Sequence, residues 1–480
     1  MVVLAVSPPQ IVAGRRVASW PIVAAGVIAF AVTWAGSWVP SLWIDELATV
    51  SAADRSWRGL GLLVGNIDAA LGPYYAFMHV WMKAGAAEWW LRLPSAIAIG
   101  VGAGLLAALG RRLGTPRAGL LAAAVFALLP SVAYHGQNAR PYAIAAAAAV
   151  AAMWALSRAM DKPASRARWA AYALAVAVLG CAHLLALLVI PAHLAAVAFA
   201  PSRREVLPRM LGWLAAGALP GVALAVVAFG QRGAVAWITL PDAGTLSRVP
   251  LDLAGSWPAG CLLLGVALAA GRGTGPLWLW LAVPPLGLFA ISYAVAPMYV
   301  DRYTFVAAPA LALLAGLALD RFSRPAMAAA LVLVLFLAWP AHQELRARDG
   351  HLDDYPAAVD LMRARSRPGD AMMFAHKSIR EGFVYYGEGT LPDDVLRIGT
   401  ARLDGLLTYP ERTGITRALC GRERVWVLWR GAALDAVAPP AAAERVLAVE
   451  RAGFTLQQAW PSTRFPGIGT ALFTGKGTCE

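Results

Sequence analysis

Repeated apolar runs, each long enough to cross a lipid bilayer, constrain this chain more than any other feature of its sequence. A membrane-spanning helix needs about 20 consecutive, mostly apolar residues. Such runs recur over residues 17–341, whereas residues 342–480 have the mixed composition of a water-soluble domain. Only 14% of the 480 residues are charged, against about 25% in an average soluble protein. The sequence therefore predicts a polytopic α-helical membrane protein, with an embedded module at 1–341 and a soluble domain at 342–480.

Eleven of these runs have the length and apolar character of membrane spans. The two spans within 169–200 are the least sharply separated, because no polar loop divides them. The predicted spans are 17–37, 92–110, 118–135, 141–157, 169–186, 187–200, 210–229, 252–270, 276–297, 303–320 and 325–341. Segment 73–87 is also apolar, but it is short and contains His79 and Lys83. We expect an interfacial or re-entrant helix there, within one long external loop at 38–91.

Basic residues occupy every second loop between the predicted spans. They are Arg15, Arg16, Arg111, Arg112, Arg117, Arg158, Lys162, Arg166, Arg168, Arg203, Arg204, Arg209, Arg272, Arg321 and Arg324. Loops rich in Lys and Arg face the cytoplasm. The alternation thus predicts a multi-pass protein of the inner (plasma) membrane with a cytoplasmic N-terminus and an extracytoplasmic C-terminal domain. Orientation in the membrane accounts for most of the net charge of +13, so nucleic acid is not a predicted partner.

The polar residues of the external loops form the candidate site. Asp45 and Glu46 follow the first span between bulky apolar side chains, where an acidic pair is costly unless it has a use. One interpretation is a carboxylate that takes a proton from a sugar hydroxyl. The other is a helix start that Asp45 caps and whose dipole favours Glu46. Arg140 and Arg302 likewise either hold a phosphate in bidentate fashion or extend to lipid headgroups.

The sequence indicates neither a soluble-nucleotide site nor a metal centre. It has no Walker loop and no dinucleotide fingerprint. His135, His183 and His193 lack the spacing of metal ligands, and the last two fall within predicted spans, where an ordinary packing role is expected.

Four short motifs on the external side resemble those of the GT-C glycosyltransferases, in particular the family 39 type, and most closely an actinobacterial-like subgroup. They are Trp43-Ile44-Asp45-Glu46, Asp68-Ala69-Ala70-Leu71-Gly72-Pro73-Tyr74-Tyr75, Gln137-Asn138-Ala139-Arg140-Pro141-Tyr142 and Asp301-Arg302-Tyr303. Two motifs depart from the family pattern. Ala70 to Gly72 replace a His-Pro pair, and Asn138 stands where an acidic residue is usual. A second catalytic carboxylate, or metal ligation through it, is therefore in question.

The resemblance implies inverting transfer of a sugar, mannose or arabinose, from a polyprenyl-phosphate donor to a cell-envelope glycan, lipid or protein. Asp45 would be the general base, with Glu46 orienting the acceptor or an arginine. The donor phosphate would lie near Arg140, Arg302 and Tyr303. The other substrate-binding candidates are Asp68, Tyr74, His79, His135, Gln137 and Tyr142. No metal ligands are predicted, and a requirement for Mg or Mn is left open.

The soluble region predicts a small α/β domain. Its predicted elements are a helix at 354–365, strands at 371–375, 425–429 and 470–474, and a helix at 439–452. Cys420 and Cys479 can pair if the domain faces an oxidising compartment. Its aromatic residues Tyr385, Tyr386, Trp426, Trp429 and Trp460 are expected mainly in the core, with carbohydrate binding as the alternative.

Two other functions remain open at this stage. A transporter or flippase of lipid-linked glycans should show inverted repeats and charges at mid-membrane, whereas these charges cluster at one face. A non-catalytic assembly subunit of a cell-wall complex would keep the fold without needing Asp45.

Overall fold

The computed structural model describes residues 19–479 except 232, 234, 235, 388, 432, 463–465 and 478. Arg15, Arg16 and the first two residues of the predicted span 17–37 lie outside the described residues. Helices dominate the part of the chain before residue 346, and a five-stranded sheet lies in the part that follows.

Helices occupy the central part of all eleven predicted spans, which confirms the prediction of a polytopic helical protein. The helices of this module are α1 (Trp20–Trp34), α2 (Ile44–Ala53), α3 (Trp57–Asn66), α4 (Gly72–Trp81), α5 (Glu88–Leu113), α6 (Pro116–Leu128), α7 (Pro130–Gly136), α8 (Tyr142–Asp161), α9 (Arg166–Ala182), α10 (Ile190–Ala198), α11 (Arg203–Phe229), α12 (Ala243–Ser247), α13 (Val249–Ala254), α14 (Trp257–Ala267), α15 (Gly275–Ala294), α16 (Asp301–Thr304), α17 (Ala308–Leu319) and α18 (Arg324–Leu345). Five of these helices (α5, α8, α11, α15 and α18) have the length and hydropathy to cross a membrane alone, and so does the continuous helical stretch Asp301–Leu319, which contains α16 and α17. Three shorter apolar helices, including α1, occupy other predicted spans.

The span predicted at 118–135 is broken into α6 and α7, which meet at an angle of 70°. The break falls at Leu129, whose backbone is extended (φ −74°, ψ 124°). Pro130 follows it, and the residue before a proline is disfavoured in helical conformation. The bend directs the end of α7 toward the segment that carries Arg140.

The basic loops of the helical module converge at one end of the bundle. Arg112 makes a two-pronged contact with Asp161 at 2.8 and 2.7 Å, joining the ends of α5 and α8. Arg117 Nε donates to Asp320 at 2.6 Å, joining the start of α6 to the end of α17. We call this end the basic end. Its existence supports the alternating topology, while the side of the membrane that it faces stays a prediction.

The long loop at 38–91 folds into three short helices, α2 to α4, at the opposite end of the bundle. With ten residues, α4 is about 15 Å long, half the thickness of the hydrocarbon core of a bilayer. It is therefore too short to cross, as expected for segment 73–87. Whether it lies in the membrane interface stays a prediction.

The C-terminal region forms an α/β domain, as predicted. Its strands are β1 (Ala371–Phe374), β2 (Asp393–Asp394), β3 (Arg424–Arg430), β4 (Phe454–Trp460) and β5 (Ile468–Gly475), in the order β2-β1-β3-β5-β4. Its helices are α19 (Tyr355–Arg365), α20 (Arg380–Gly387), α21 (Ile415–Ala418) and α22 (Pro440–Arg451). β1 pairs in parallel with β2 and β3, and β5 pairs antiparallel with β3 and β4. A disulfide joins Cys420 and Cys479.

Trp426 and Trp429 are fully buried in this domain, in agreement with a core role. Tyr385 and Tyr386 instead reach the long loop of the helical module. Their hydroxyls donate to the Ala86 carbonyl at 2.6 Å and to Glu88 at 3.1 Å, respectively. These two tyrosines therefore help to join the soluble domain to the helical module.

Further polar contacts fix the soluble domain on α2 and α3. Asn66 donates to the Gly405 carbonyl at 2.8 Å, and Arg55 donates to the Leu403 carbonyl at 3.2 Å. The domain thus covers the end of the bundle where the sequence motifs meet, opposite the basic end.

Candidate active site

Asp45 lies in the first turn of α2, near the contacts between the helical module and the soluble domain. We refer to the partly exposed region around Asp45 and Arg302 as the cleft. The helix starts two residues earlier than the capping interpretation required: Trp43 is its N-cap, so Asp45 does not cap it. The side chain of Asp45 is 24% exposed. Its Oδ2 atom has no hydrogen-bond partner among the described residues and lies 3.4 Å from Nη2 of Arg302. Asp45 is therefore a partly exposed carboxylate whose buried Oδ2 atom lies beside a guanidinium.

Arg302 is held in place by aromatic side chains. Its Nε donates to the Tyr142 hydroxyl at 3.1 Å. Its guanidinium lies over the rings of Trp43, Trp237 and Tyr303 at 5.7, 5.3 and 5.7 Å from their centres, distances typical of cation–π attraction. The side chain is 17% exposed. These aromatic contacts fix the orientation of the Arg302 guanidinium, which stays partly exposed to a ligand in the cleft.

Arg140 approaches Asp45 from the segment between α7 and α8. Its Nη1 donates to the Asp45 carbonyl at 3.3 Å and to Thr49 Oγ1 at 3.4 Å. Its Nε is buried with no hydrogen-bond partner in the described structure. An unsatisfied buried donor on a cation is costly, and an anionic ligand would satisfy it. Arg140, Arg302 and Asp45 together carry one net positive charge.

Asp68 is the further carboxylate near Arg140. Its backbone has a φ of +60°, a conformation that Asp tolerates better than most residues. Its Oδ2 accepts a hydrogen bond from Tyr75 at 3.0 Å. Burial raises the pKa of Asp68, and the nearby Arg140 opposes that rise.

Glu46 has a different environment from Asp45, although the two are adjacent. Its carboxylate is fully buried and forms two parallel hydrogen bonds with Arg92, at 2.8 and 2.7 Å. It also accepts from the Ala139 backbone at 2.8 Å. Burial favours the neutral form, but the Arg92 charge outweighs it and holds the pKa of Glu46 at about 2. Glu46 therefore joins α2, α5 and the Arg140 segment, and its oxygens do not face the cleft.

Two residues that sequence reasoning missed hold the same segment from the soluble domain. His351 packs beside Glu46, with Nδ1 3.5 Å from the carboxylate, and burial together with Arg92 lowers the pKa of His351. Asp353 Oδ2 accepts from the Ile44 backbone N–H at 3.1 Å, and its Oδ1 accepts from Arg430 at 3.2 Å. The start of α2 is thus fixed by the soluble domain. The available sequence signal was a His and an Asp soon after the last span.

Aromatic rings line the cleft next to Arg302. Tyr142 and Tyr303 lie 6.2 Å apart between ring centres. His183 contacts both, at 5.6 and 4.6 Å, and His135 lies 5.5 Å from Tyr142. The sequence had suggested only a packing role for His183. Its position, just after α9 and beside two site tyrosines, makes it a candidate site residue.

Three predicted substrate-binding residues remain, and two of them have partners outside this cluster. His79 packs on Trp57 at the far end of α2 and contacts the Ala53 carbonyl at 2.9 Å, about 12 Å along the helix from Asp45. Gln137 is fully buried and donates to the Thr33 carbonyl at 2.6 Å. Tyr74 is buried in the apolar cluster around α2, within reach of the Arg140 charge, and its hydroxyl has no hydrogen-bond partner in the described structure. The contacts of His79 and Gln137 do not support a ligand role, and the assignment of all three residues stays a prediction.

Within the described residues, no group of three or more His, Cys, Asp or Glu side chains is arranged to hold a metal ion. Asn138, which replaces the usual acidic residue, accepts a hydrogen bond from Trp43 Nε1 at 3.1 Å. Its amide therefore positions the indole that lies against Arg302. The residues near Asp45 do not fit a metal site, and no step below depends on one.

The chain is similar to known proteins in part of its sequence and in its fold. Residues 71–229 match the family described as dolichyl-phosphate-mannose-protein mannosyltransferase. ArnT from Cupriavidus metallidurans has a similar structure in its apo state, with a TM-score of 0.56 and 14% identity over 94% of this chain and 97% of ArnT. ArnT bound to undecaprenyl phosphate gives a TM-score of 0.57 and 13% identity over 95% of this chain and 98% of ArnT.

A sequence search of curated proteins found no match. The structural likeness, at this level of identity, establishes the fold. The family match covers 159 of the 480 residues. The chain is a multi-pass membrane protein of the GT-C fold, and its residues 71–229 are similar to the dolichyl-phosphate-mannose-protein mannosyltransferases.

Proposed function

We propose that this protein transfers a sugar, mannose or arabinose, from a polyprenyl-phosphate donor to a hydroxyl of a cell-envelope glycan, lipid or protein. The observation that carries the proposal is the meeting of Asp45 with Arg140 and Arg302 in one cleft. A neutral hydroxyl needs a positioned base, and a departing phosphate needs positive charge. The cleft offers both.

Arg140 and Arg302 are the proposed ligands of the donor phosphate. Guanidinium groups suit phosphate because they present a planar fork of donors and stay charged at all physiological pH values. Arg140 has an unused buried Nε donor, and Arg302 is held in place by Tyr142 and Tyr303. The structure of ArnT with undecaprenyl phosphate supports a polyprenyl carrier for this chain.

Asp45 is the proposed general base. Without substrate it lies beside Arg302. When the donor phosphate pairs with Arg302, Asp45 becomes free to accept the proton of the acceptor hydroxyl. The hydroxyl oxygen then bonds to the anomeric carbon as the bond from that carbon to the phosphate oxygen breaks, which inverts the configuration. The electron pair leaves with the polyprenyl phosphate, and the proton stays on Asp45 until solvent or the phosphate takes it.

Glu46 is proposed as a positioning residue. Because its carboxylate is committed to Arg92 and to the Ala139 backbone, it orients Asp45 and Arg140 relative to each other. These contacts support an indirect role for Glu46 in catalysis, through the positions of Asp45 and Arg140, in place of the direct catalytic role that the sequence predicted.

We further propose that the basic end faces the cytoplasm and that the cleft and soluble domain are extracytoplasmic. The gathering of arginines at the basic end follows the charge rule for cytoplasmic loops. The disulfide between Cys420 and Cys479 is typical of an oxidising compartment. The donor would thus be used on the outer side of the plasma membrane.

A donor panel tests the proposal. The purified protein would be given labelled mannose or arabinose on polyprenyl phosphate and, in parallel, on a nucleotide, with cell-envelope extract as acceptor. We expect transfer from a lipid-linked donor only, with inverted anomeric configuration in the product. Transfer from the nucleotide donor, or a retained configuration, would overturn the mechanism.

A further inference from the structure

A membrane-facing groove runs between α1, α5 and α8, away from the catalytic cleft. Its volume is about 650 Å³. Its walls include Val27 and Val101, which are 60% and 53% exposed. Its floor lies where α1 and α5 approach closely, because a side chain on Gly26 would meet the Gly100 carbonyl at 2.8 Å. The groove extends along α5 from Ile97 to Arg112, a rise of about 22 Å.

The groove ends at three arginines, Arg111, Arg112 and Arg158. Arg112 is paired with Asp161. Arg111 and Arg158 form no ion pair with any described carboxylate. The guanidinium of Arg158 lies over the ring of Trp154, 5.4 Å from its centre, and Trp154 itself lines the groove. One end of an apolar groove therefore carries two uncompensated positive charges.

We propose that this groove binds one anionic phospholipid of the bilayer, with a chain along α1 and α5 and its phosphate between Arg111 and Arg158. The length fits this occupant, because a groove of about 22 Å accommodates an acyl chain that reaches through the roughly 15 Å hydrocarbon depth of one leaflet. The charge supports it as well, since guanidinium groups bind phosphate strongly. A neutral lipid or a partner helix would fill the walls but leave the arginines unpaired.

The proposed lipid differs from the sugar donor in position. Arg111 and Arg158 belong to the basic end, whereas Asp45 and Arg302 lie at the end covered by the soluble domain. Binding here is therefore independent of the proposed catalytic function, and its test needs no enzymatic assay.

Native mass spectrometry of the full-length protein, taken from nanodiscs of equal phosphatidylglycerol and phosphatidylcholine, would measure the lipid retained. We expect one phosphatidylglycerol per protein, in at least about tenfold preference over phosphatidylcholine. The double variant R111Q/R158Q should lose that preference. The matched variant R203Q/R204Q, which alters exposed arginines at the start of α11, should keep it.

A second variant tests the apolar wall separately. V101W fills the groove without changing its charge, so retention of phosphatidylglycerol should fall at least fivefold. Equal retention of the two lipids by the wild type, or retention unchanged in R111Q/R158Q, would overturn the proposal. Displacement of phosphatidylglycerol by an equimolar amount of undecaprenyl phosphate would also overturn it, because the groove would then belong to a polyprenyl lipid.

Discussion

The buried pair of Glu46 and Arg92 should make a large contribution to the stability of this protein. Both side chains are fully buried and share two hydrogen bonds. A pKa of Glu46 lowered from 4.5 to about 2 corresponds to about 3 kcal/mol of stabilisation, at about 1.4 kcal/mol per tenfold change. E46Q leaves the Arg92 charge buried and uncompensated, a loss of about 3–5 kcal/mol.

Thermal unfolding followed by tryptophan fluorescence, in detergent at pH 7.5, would measure this effect. We expect E46Q to lower the unfolding midpoint several times more than the control E205Q. Glu205 pairs with Arg209 at 2.5 Å on a helix surface, where both side chains are about half exposed. Such exposed pairs contribute less than about 1 kcal/mol. Equal unfolding midpoints for E46Q and E205Q would refute the large stabilising contribution assigned to the buried pair of Glu46 and Arg92.

The same pair predicts a direction for the pH dependence. The folded-state pKa of Glu46 is depressed, so its stabilisation is complete above pH 4.5, the ordinary value. It is lost as the pH falls from 4.5 toward 2. The unfolding midpoints of wild type and E46Q should therefore converge in that acidic window. A constant difference between them from pH 6 to pH 3 would contradict the depressed pKa.

Two further predictions concern the site itself. R302K removes the hydrogen bond to Tyr142 and the planar fork of donors, so the KM for the donor should rise about tenfold or more. The control R348K alters an exposed arginine and should leave the donor KM unchanged. Equal KM values for R302K and R348K would exclude Arg302 as a phosphate ligand. D353N weakens the hold on Ile44 and Arg430, so kcat should fall about tenfold, as for one charge-assisted hydrogen bond, with KM unchanged. D360N, an exposed counterpart, is its control, and a normal kcat in D353N would show that the soluble domain does not position α2.

The membrane helices could be predicted from sequence because the bilayer sets a length and a polarity that each span must satisfy. The break at Leu129 was missed, since a proline near the end of an apolar run is compatible with a continuous or a bent span. Strand β4 was also missed. It is an edge strand, and most of its residues after Phe454 are exposed, so it lacks the apolar run that indicated β1 and β3.

The site was only partly predictable. Asp45 and Arg302, which pair in the structure, come from motifs far apart in sequence. The predicted common side of the membrane was enough to suggest that both belong to one site, but not that they pair. The different roles of Asp45 and Glu46 were not predictable from their adjacent positions. Adjacent residues on a helix point in different directions, and Arg92, which pairs with the buried Glu46, belongs to another helix. The roles of His351 and Asp353 depend on how the soluble domain docks on α2, which no local pattern encodes.

The measurement that tests the central claim most directly is sugar transfer from a polyprenyl-phosphate donor by wild type, D45N and D54N at equal expression. Asp54 lies at the other end of α2 and is exposed, so D54N makes the same chemical change away from the cleft. Loss of a general base typically costs about 10²–10⁴-fold in rate. We predict a loss of that size in D45N and wild-type transfer in D54N. Wild-type transfer in D45N would remove Asp45 from the mechanism and contradict the account.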